Sequence, residues 1–498
     1  MKLFTAKQIQ EWDKYTINHE PISSYHLMER AVQRLYDQLC INHDVTYKTV
    51  HLFCGTGNNG GDGLALARYL KKHSANVYVI YVGDITQASP DNYQNYQLLQ
   101  KQNIPIYTLE QVDTLPQPDY IIDALLGTGL NRSVNSQSLL AKCIHHINQS
   151  GAYIISIDIP SGLMSEDNRQ NLGVWVKCHE VYSFQQPKIV FFLKEWAKEI
   201  QSWHVVDIGL SQEYYTQTST NYFCLNHGVF QTHFKHRTKF SHKGNYGHAL
   251  LIGGLDDKTG AGILAAKAAY RSGCGLLTVM SNRRHQTAFN VAIPEAMFCS
   301  TKIFSKQTDK ANYLQKFDAV GIGHGLGIKK SSLTLLESVL SHYSGPFVID
   351  ADGINLLAKN SHLWGFLEGK KVVLTPHIQE AERLLQNTYS DSLSRIEACK
   401  GFAMKKECDI VLKDAITTLI FSDGTIYFSD NGCSGMAKGG SGDILTGILT
   451  STLAQSYAIK SAVIVSVYGH GVAAQKALQQ YSNTSLTPSD IINTLFIA

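Results

Sequence analysis

The sequence predicts two α/β domains in tandem, each built on a largely parallel sheet. Three observations lead there. The chain has 498 residues, and single cores stop growing near ~250–300 residues, so it divides into more than one domain. Short apolar runs rich in Val and Ile recur along it, and several end in an acid or a glycine, as parallel strands do at their ligand-binding ends. Each half also carries one dense glycine loop between a strand-like run and a helical one, GTGNNGGDG at 55–63 and GMAKGGSGDILTG at 435–447.

The elements follow in order. Thr5-x-x-Gln8 is a capping box that opens a first helix. The stretch from Thr49 reads as a strand ending near Cys54, the glycine turn, a helix to about Lys72 and a second strand at Val77–Val82, one complete βαβ unit. Further strands end at Asp123 and Asp158, and His204–Leu210 closes the domain. Residues 211–222 are polar and aperiodic. They place a linker at 214–222, between domains at 1–213 and 223–498. HFKHRTKFSHK, with four Lys/Arg and no acid, reads as a solvated segment, with a phosphate-facing patch as the sharper alternative. GHALLIGG begins a second alternation, with a helix ending at Gly273, strands at AVGIG, FVIDAD, KVVLTP and DIVLKD, and a strong helix in GDILTGILTSTLAQ.

Composition excludes several classes. Hydrophobic residues make up 44% and charged residues 17%, which rules out a disordered solvating chain. A net charge of +3 gives no bulk argument for nucleic acid or an anionic membrane. No apolar run reaches the ~18 residues of a membrane span, and the start lacks the apolar core of a signal peptide. The ten scattered cysteines form no CxxC pair, so reduced thiols in a cytoplasmic protein are expected.

Gly55-x-Gly57-x-x-Gly60 fits the dinucleotide fingerprint, though a tight turn alone would explain the glycines equally well. The neighbours Asn58, Asn59 and Asp62 add information. A carboxylate beside phosphate repels it unless a cation or a donor-rich ligand edge intervenes. Asp123, before a second glycine turn, and Asp158, with Ser161 three residues on, place more oxygen at strand ends. Each acid alone is more often a cap or turn former. Together with the Asn-rich loop they favour a shared site for a polar nucleotide and a hard cation.

GNNGGDG, DALLGTGLNR, DIPSG and LMERA together resemble the YjeF-type NAD(P)H-hydrate epimerase domain, over roughly residues 1–213. The resemblance implies a Rossmann-like three-layer domain that binds hydrated NAD(P)H (NADHX or NADPHX) and a potassium ion. It implies that Asn58, Asn59, Gly60, Gly61 and Asp62, with Gly127, Thr128, Gly129, Leu130, Asn131, Arg132 and Ser133, hold the nucleotide. Asn59, Asp123 and Ser161 would face potassium, and Asp158 would contact the hydrated ring as the catalytic residue. The sequence departs from the family at Met164 and at Lys188-Ile189-Val190.

In the second half, exposed N–H groups of Gly439, Gly440 and Gly442 at a helix start suit an anion, and Asp443 suits a general base beside it. The ordinary alternative is a glycine turn with Asp443 as the helix cap. Lys413 and Thr417 are candidates for phosphate or ribose; Asp350, Asp352 and His377 end other strands. HKGNYGHALLIGG, TGAGILAAKAA, PEAM, GHGLG, DADG, TPHIQEAERLL and GMAKGGSGD resemble, in order over 223–498, the ADP/ATP-dependent NAD(P)H-hydrate dehydratases of the ribokinase-like superfamily. This implies a ribokinase-like α/β fold. It implies that Lys413, Asp414, Ala415, Ile416, Thr417 and Gly442 bind ADP or ATP with Mg2+, and that Ala261, Gly325, His377 and Asp443 contact the hydrate, Asp443 as the catalytic base. Ile378-Gln379 departs from the usual pattern. The expected protein is a cytoplasmic, homo-oligomeric repair enzyme, an isomerase and a lyase, with no nucleic-acid or membrane partner. Two alternatives stand beside it: a ribokinase-like vitamin-precursor kinase with an accessory domain, and a non-catalytic nucleotide-binding module.

Overall fold

The computed structural model describes residues 1–496. The chain forms two compact units, Lys2–Thr220 and the residues from Asn221 onward.

The N-terminal unit is a seven-stranded sheet. Its strands are ordered Ile106–Tyr107, Asn76–Tyr81, Thr49–Cys54, Tyr120–Ala124, Tyr153–Ile157, Cys178–Phe184 and Ile200–Val206, all parallel. Alternation along the strands explains the layers. Val50, Leu52 and Cys54 join one core with the helices Ser24–Asn42 and Asn58–Lys72, while Phe53 points to a second core with the helix Leu139–Gln149. The predicted capping box forms, with Thr5 and Gln8 satisfying each other's backbone N–H groups on the helix Ala6–His19. The chain runs outward from Thr49–Cys54 on one side and resumes on the other at Tyr120–Ala124. The switch point therefore lies between these two strands, where open α/β sheets bind ligands.

Residues 211–222 differ from the expected linker. Gln212–Gln217 is a helix whose Tyr214 and Tyr215 pack on Phe4 and Trp12, so short-range polarity concealed an aromatic anchor. Tyr222–Cys224 is already a strand of the next unit, paired with Ile426–Ser429. The run at His204–Leu210 supplies only the end of the last strand, which closes at Val206.

The C-terminal unit orders its strands Tyr222–Cys224, Ile426–Ser429, Thr417–Ile420, Asp409–Leu412, Val372–Leu374, Phe347–Ile349, Ala319–Ile322, His248–Ile252, Leu276–Ser281 and Met297–Ser300. From Asp409–Leu412 to Met297–Ser300 all pairings are parallel, and Thr417–Ile420 is antiparallel to both neighbours. The helices Thr259–Arg271, Ser441–Ala454 and Ile459–Ala477 pack over one face through Ala265, Ala269, Leu445, Leu449 and Val463. The switch point lies between His248–Ile252 and Ala319–Ile322. The basic segment is exposed, as expected of a solvated stretch, with two local contacts: Lys235 Nζ donates to Ser456 O at 2.9 Å, and Arg237 lies 3.8 Å from the Tyr246 ring centroid. No helix among the described residues is long and apolar enough to cross a membrane, and all ten cysteines are free thiols.

Candidate active sites

At the N-terminal switch point a cavity of about 970 Å³ opens. It is walled by the turn from Gly55 to Asn59, by Asp62, by Leu125–Arg132, by Asp158 and by one face of the helix Ala6–His19. The glycine turn is shorter than expected, because the helix already starts at Asn58 with Gly57 as its cap residue. Gly60 and Gly61 therefore serve packing: a Cβ on Gly60 would sit 1.9 Å from Gly55 O, and one on Gly61 2.9 Å from Met28 Cε. Neither lines the cavity, whereas Asn58 and Asn59 do. Asn92, buried and not foreseen, donates from Nδ2 to the carbonyls of Gly55 and Gly57 at 2.8 Å each and so fixes the turn.

Beneath the cavity Asp123 is fully buried. Its Oδ2 accepts from Ser156 Oγ and Ser161 N, both at 2.8 Å, and its Oδ1 from Ser161 Oγ at 2.5 Å. Burial still holds its carboxyl above the usual range. Ser161 Oγ accepts in turn from Leu126 N at 2.8 Å, and Asn59 Nδ2 donates to Leu126 O at 2.8 Å. Asn59 Oδ1 is left buried with no partner, which costs free energy unless something binds it. Asn59, Asp123 and Ser161 are thus brought together, with oxygen as the only free ligand type, which fits a hard cation. Ser133, expected among the nucleotide-binding residues, does not line the cavity: its Oγ donates to Gln170 O and accepts from Leu172 N.

Asp158 ends its strand in a left-handed conformation, φ 66°, a strained state for a non-glycine residue. Its Oδ1 accepts from Lys188 Nζ at 2.7 Å and Phe184 N at 3.0 Å. Lys188 is 1% exposed and also reaches Ser183 Oγ and the Phe184 and Gln186 carbonyls. The lysine of the departing Lys-Ile-Val tripeptide is therefore the buried partner of the expected catalytic acid. Two more carboxyls face it. Burial and the charge of Asp158 push Asp62 well above the usual range and bring Asp13 to about 7.

In the C-terminal unit, Gly440 has φ 107° and caps the helix Ser441–Ala454. Asp443 stands in its first turn rather than at the cap. Burial, with the charge of Asp350 added, pushes Asp443 up to about 7. Asp350 is 2% exposed and accepts from Lys413 Nζ at 2.8 Å, Thr375 Oγ1 at 2.7 Å and Thr446 Oγ1 at 3.0 Å. A Cβ on Gly442 would lie 3.2 Å from Lys413 Nζ, so the ammonium sits directly under the glycine loop. Lys413 also pairs by backbone with His377, joining two more expected residues. The His377 ring, however, caps its own helix, Nδ1 accepting from Gln379 N at 3.1 Å and Glu380 N at 3.4 Å. Gly325, φ 62°, lies against Ala261 and Lys258, where a Cβ would meet Ala261 Cβ at 3.3 Å and Lys258 Cβ at 2.8 Å. Lys258 Nζ binds Asp352 at 2.8 Å. Thr417 begins the antiparallel strand opposite Ser429, and Asp414 caps Ala415 N. Among the described residues no three His, Cys, Asp or Glu side chains cluster as a metal site.

Residues 24–190 match the family described as YjeF-related protein N-terminus, and residues 249–496 match the NAD(P)H-hydrate dehydratase family. A bifunctional NAD(P)H-hydrate repair enzyme of Coxiella burnetii is 32% identical over 98% of this chain and 97% of its own. The chain belongs to the bifunctional NAD(P)H-hydrate repair enzyme family. A second repair enzyme, from Moorella thermoacetica, is 30% identical over 99% of this chain and 96% of its own. A solved ribokinase-like superfamily protein from Enterococcus faecalis is 27% identical, covers 56% of this chain and 95% of its own, and superposes with a TM-score of 0.50. A Streptococcus mutans structure gives 28%, 54%, 96% and 0.50. The repair-enzyme architecture, a Rossmann-like epimerase-type domain followed by a ribokinase-like dehydratase-type domain, accords with both sheets described above.

Proposed function

We propose that the N-terminal domain interconverts the R and S hydrates of NADH and NADPH at C6, and that the C-terminal domain returns the S form to the reduced cofactor at the expense of ADP or ATP. The observation that carries this reading is full-length similarity to bifunctional repair enzymes in a chain whose two sheets each present a polar site at the C-terminal ends of their strands.

In the first site the N–H groups opening the helix Asn58–Lys72 face the nucleotide phosphates, with Leu125–Arg132 as the opposing wall. Asn59 Oδ1, Ser161 Oγ and Asp123 would hold potassium, which supplies a fixed positive charge near those phosphates. Asp158, set by Lys188, works on the hydrated ring.

In the second site hydroxide on C6 is a poor leaving group. Asp443 takes the proton of the C6 hydroxyl as its oxygen attacks the terminal phosphorus of the nucleotide. The phosphate monoester so formed then leaves as C5 loses a proton, which restores the C5–C6 double bond. Lys413, fixed by Asp350, and the N–H groups of the Gly439–Gly442 turn stabilise the transferring phosphoryl group. Magnesium supplies charge neutralisation on the nucleotide phosphates. Asp158→Ala tests the division of labour: it should abolish epimerisation and leave dehydration of the S hydrate intact. A loss below tenfold would reduce Asp158 to positioning, since general acid–base groups are worth about 10²–10⁴.

A further inference from the structure

The epimerase reading leaves one half of its own chemistry unassigned. Inversion at C6 exchanges a hydroxyl from one face of the ring to the other. The C6–O bond breaks while the N1 lone pair forms an N1=C6 iminium, and water then adds to the opposite face. The departing oxygen must receive a proton and the arriving water must lose one, on opposite sides of the ring. A single carboxyl fixed in place cannot do both.

Asp158 is the ion-paired carboxylate of the cavity, tethered by Lys188 and Phe184 N. Asp13 differs in every respect. It lies on the helix Ala6–His19, whose Ile9, Gln10, Asp13, Lys14 and Ile17 line the cavity. It is the one acid that this helix presents to the cavity. Among the described residues no group donates a hydrogen bond to it and no cation is paired with it. The charged groups around it are Asp158, Asp62 and Lys188, with the neighbouring Lys14 also on the cavity wall and not paired with it.

Resting on the epimerase reading, we propose that Asp13 is the second catalytic acid/base of this site, protonating the departing C6 hydroxyl while Asp158 accepts the proton of the incoming water. The bookkeeping is closed. Asp13 gives one proton and water leaves; a new water bonds to C6 and gives one proton to Asp158. The opposite epimer results, with Asp13 ionised and Asp158 protonated. That state is the starting state for the reverse reaction, and exchange with solvent resets it. Burial and the Asp158 charge bring the Asp13 carboxyl to about 7, so both forms are present at neutral pH, which suits a group that must act in both directions. Asp62, the fifth residue of the helix Asn58–Lys72, is also raised by burial and by the charge of Asp158, so it is the carboxyl against which Asp13 is tested.

The test uses the full-length chain, with D13N and D62N as parallel variants. Epimerisation is followed from each pure hydrate by separating the epimers, in water enriched in ¹⁸O, with an enzyme-free blank. Dehydration of the S hydrate by the same samples reports that the chain is folded. The expected result is one solvent oxygen incorporated at C6 per wild-type turnover, a loss in D13N of about 10²–10⁴ in kcat in both directions with KM little changed, and loss of the pH-dependent limb near 7 in D13N. D13N within tenfold of wild type overturns the proposal, as does transfer of the whole loss to D62N. Retention of the original oxygen in the wild type also overturns it, since that marks ring opening. If the wild type itself does not epimerise, the underlying reading fails instead.

Discussion

Asp443 offers the most quantitative prediction. Burial and Asp350 raise its carboxyl to about 7, so the base form rises from about 9% at pH 6 to about 91% at pH 8. If Asp443 removes the C6 hydroxyl proton, kcat/KM for dehydration of the S hydrate rises about tenfold over that interval. Asp443→Asn keeps the size, lowers the rate by about 10²–10⁴ and flattens this limb. The same shift has a stability signature. A carboxyl whose folded value is raised contributes stability that is complete below its unfolded value near ~4 and is lost as pH rises through about 7. At pH 8 the ionised Asp443 therefore weakens the fold. Discounted for its partial exposure, the effect is about 1–2 kcal/mol, so D443N should unfold later than wild type at pH 8 and no later at pH 4. The assays are initial-rate dehydration followed by recovery of dihydronicotinamide absorbance, with nucleotide affinity by calorimetry, and urea unfolding at both pH values. A flat wild-type profile together with near-normal D443N turnover would refute the assignment. A large loss of nucleotide affinity would make Asp443 a binding residue instead.

Three further outcomes follow from the same geometry. Lys188→Met leaves Asp158 without its buried partner and should destabilise the N-terminal domain by about 1–3 kcal/mol, less than for a fully buried pair because Asp158 faces the cavity, with epimerisation lost; a change below ~0.5 kcal/mol in unfolding would show the ion pair to be dispensable. Replacing potassium by a bulky organic cation should slow epimerisation, because Asn59 Oδ1 would lose its only candidate partner; equal rates in both salts would count against the cation site. Gly442→Ala places a methyl group 3.2 Å from Lys413 Nζ and should weaken ADP binding by about tenfold, on the order of 1 kcal/mol of overpacking, without affecting epimerisation; unchanged affinity would place the phosphates elsewhere.

Much of this architecture was legible because its signals are local. Strand ends at Cys54, Asp123 and Asp158, the Thr5 capping box and the helix after Gly440 each depend on short patterns of apolar and capping residues. The glycine run misled in one respect. Gly60 and Gly61 look like a flexible phosphate loop but lie in the helix, where they permit close packing on Gly55 and Met28. Repulsion among carboxylates also has a second answer besides a cation, since burial and the charge of Asp158 push the Asp62 carboxyl well above its usual range and favour its neutral form. What escaped detection is non-local. Asn92 reaches the glycine turn from 35 residues away, Lys188 reaches Asp158 across 30 residues, and Asp13 meets the cavity only through the fold. His377, expected to contact the hydrate, spends its Nδ1 on its own helix.

The central claim is that one chain drains both epimers of hydrated NAD(P)H. The most direct measurement supplies purified protein with an equimolar mixture of R and S NADH hydrate, with and without ADP or ATP, and follows recovery of dihydronicotinamide absorbance alongside each epimer. With nucleotide the account predicts complete recovery by wild type, and by D158A only the S half plus the slow spontaneous remainder. Without nucleotide it predicts epimer equilibration and no recovery. A stable phosphorylated product with no reduced cofactor, or no effect of nucleotide at all, would contradict it.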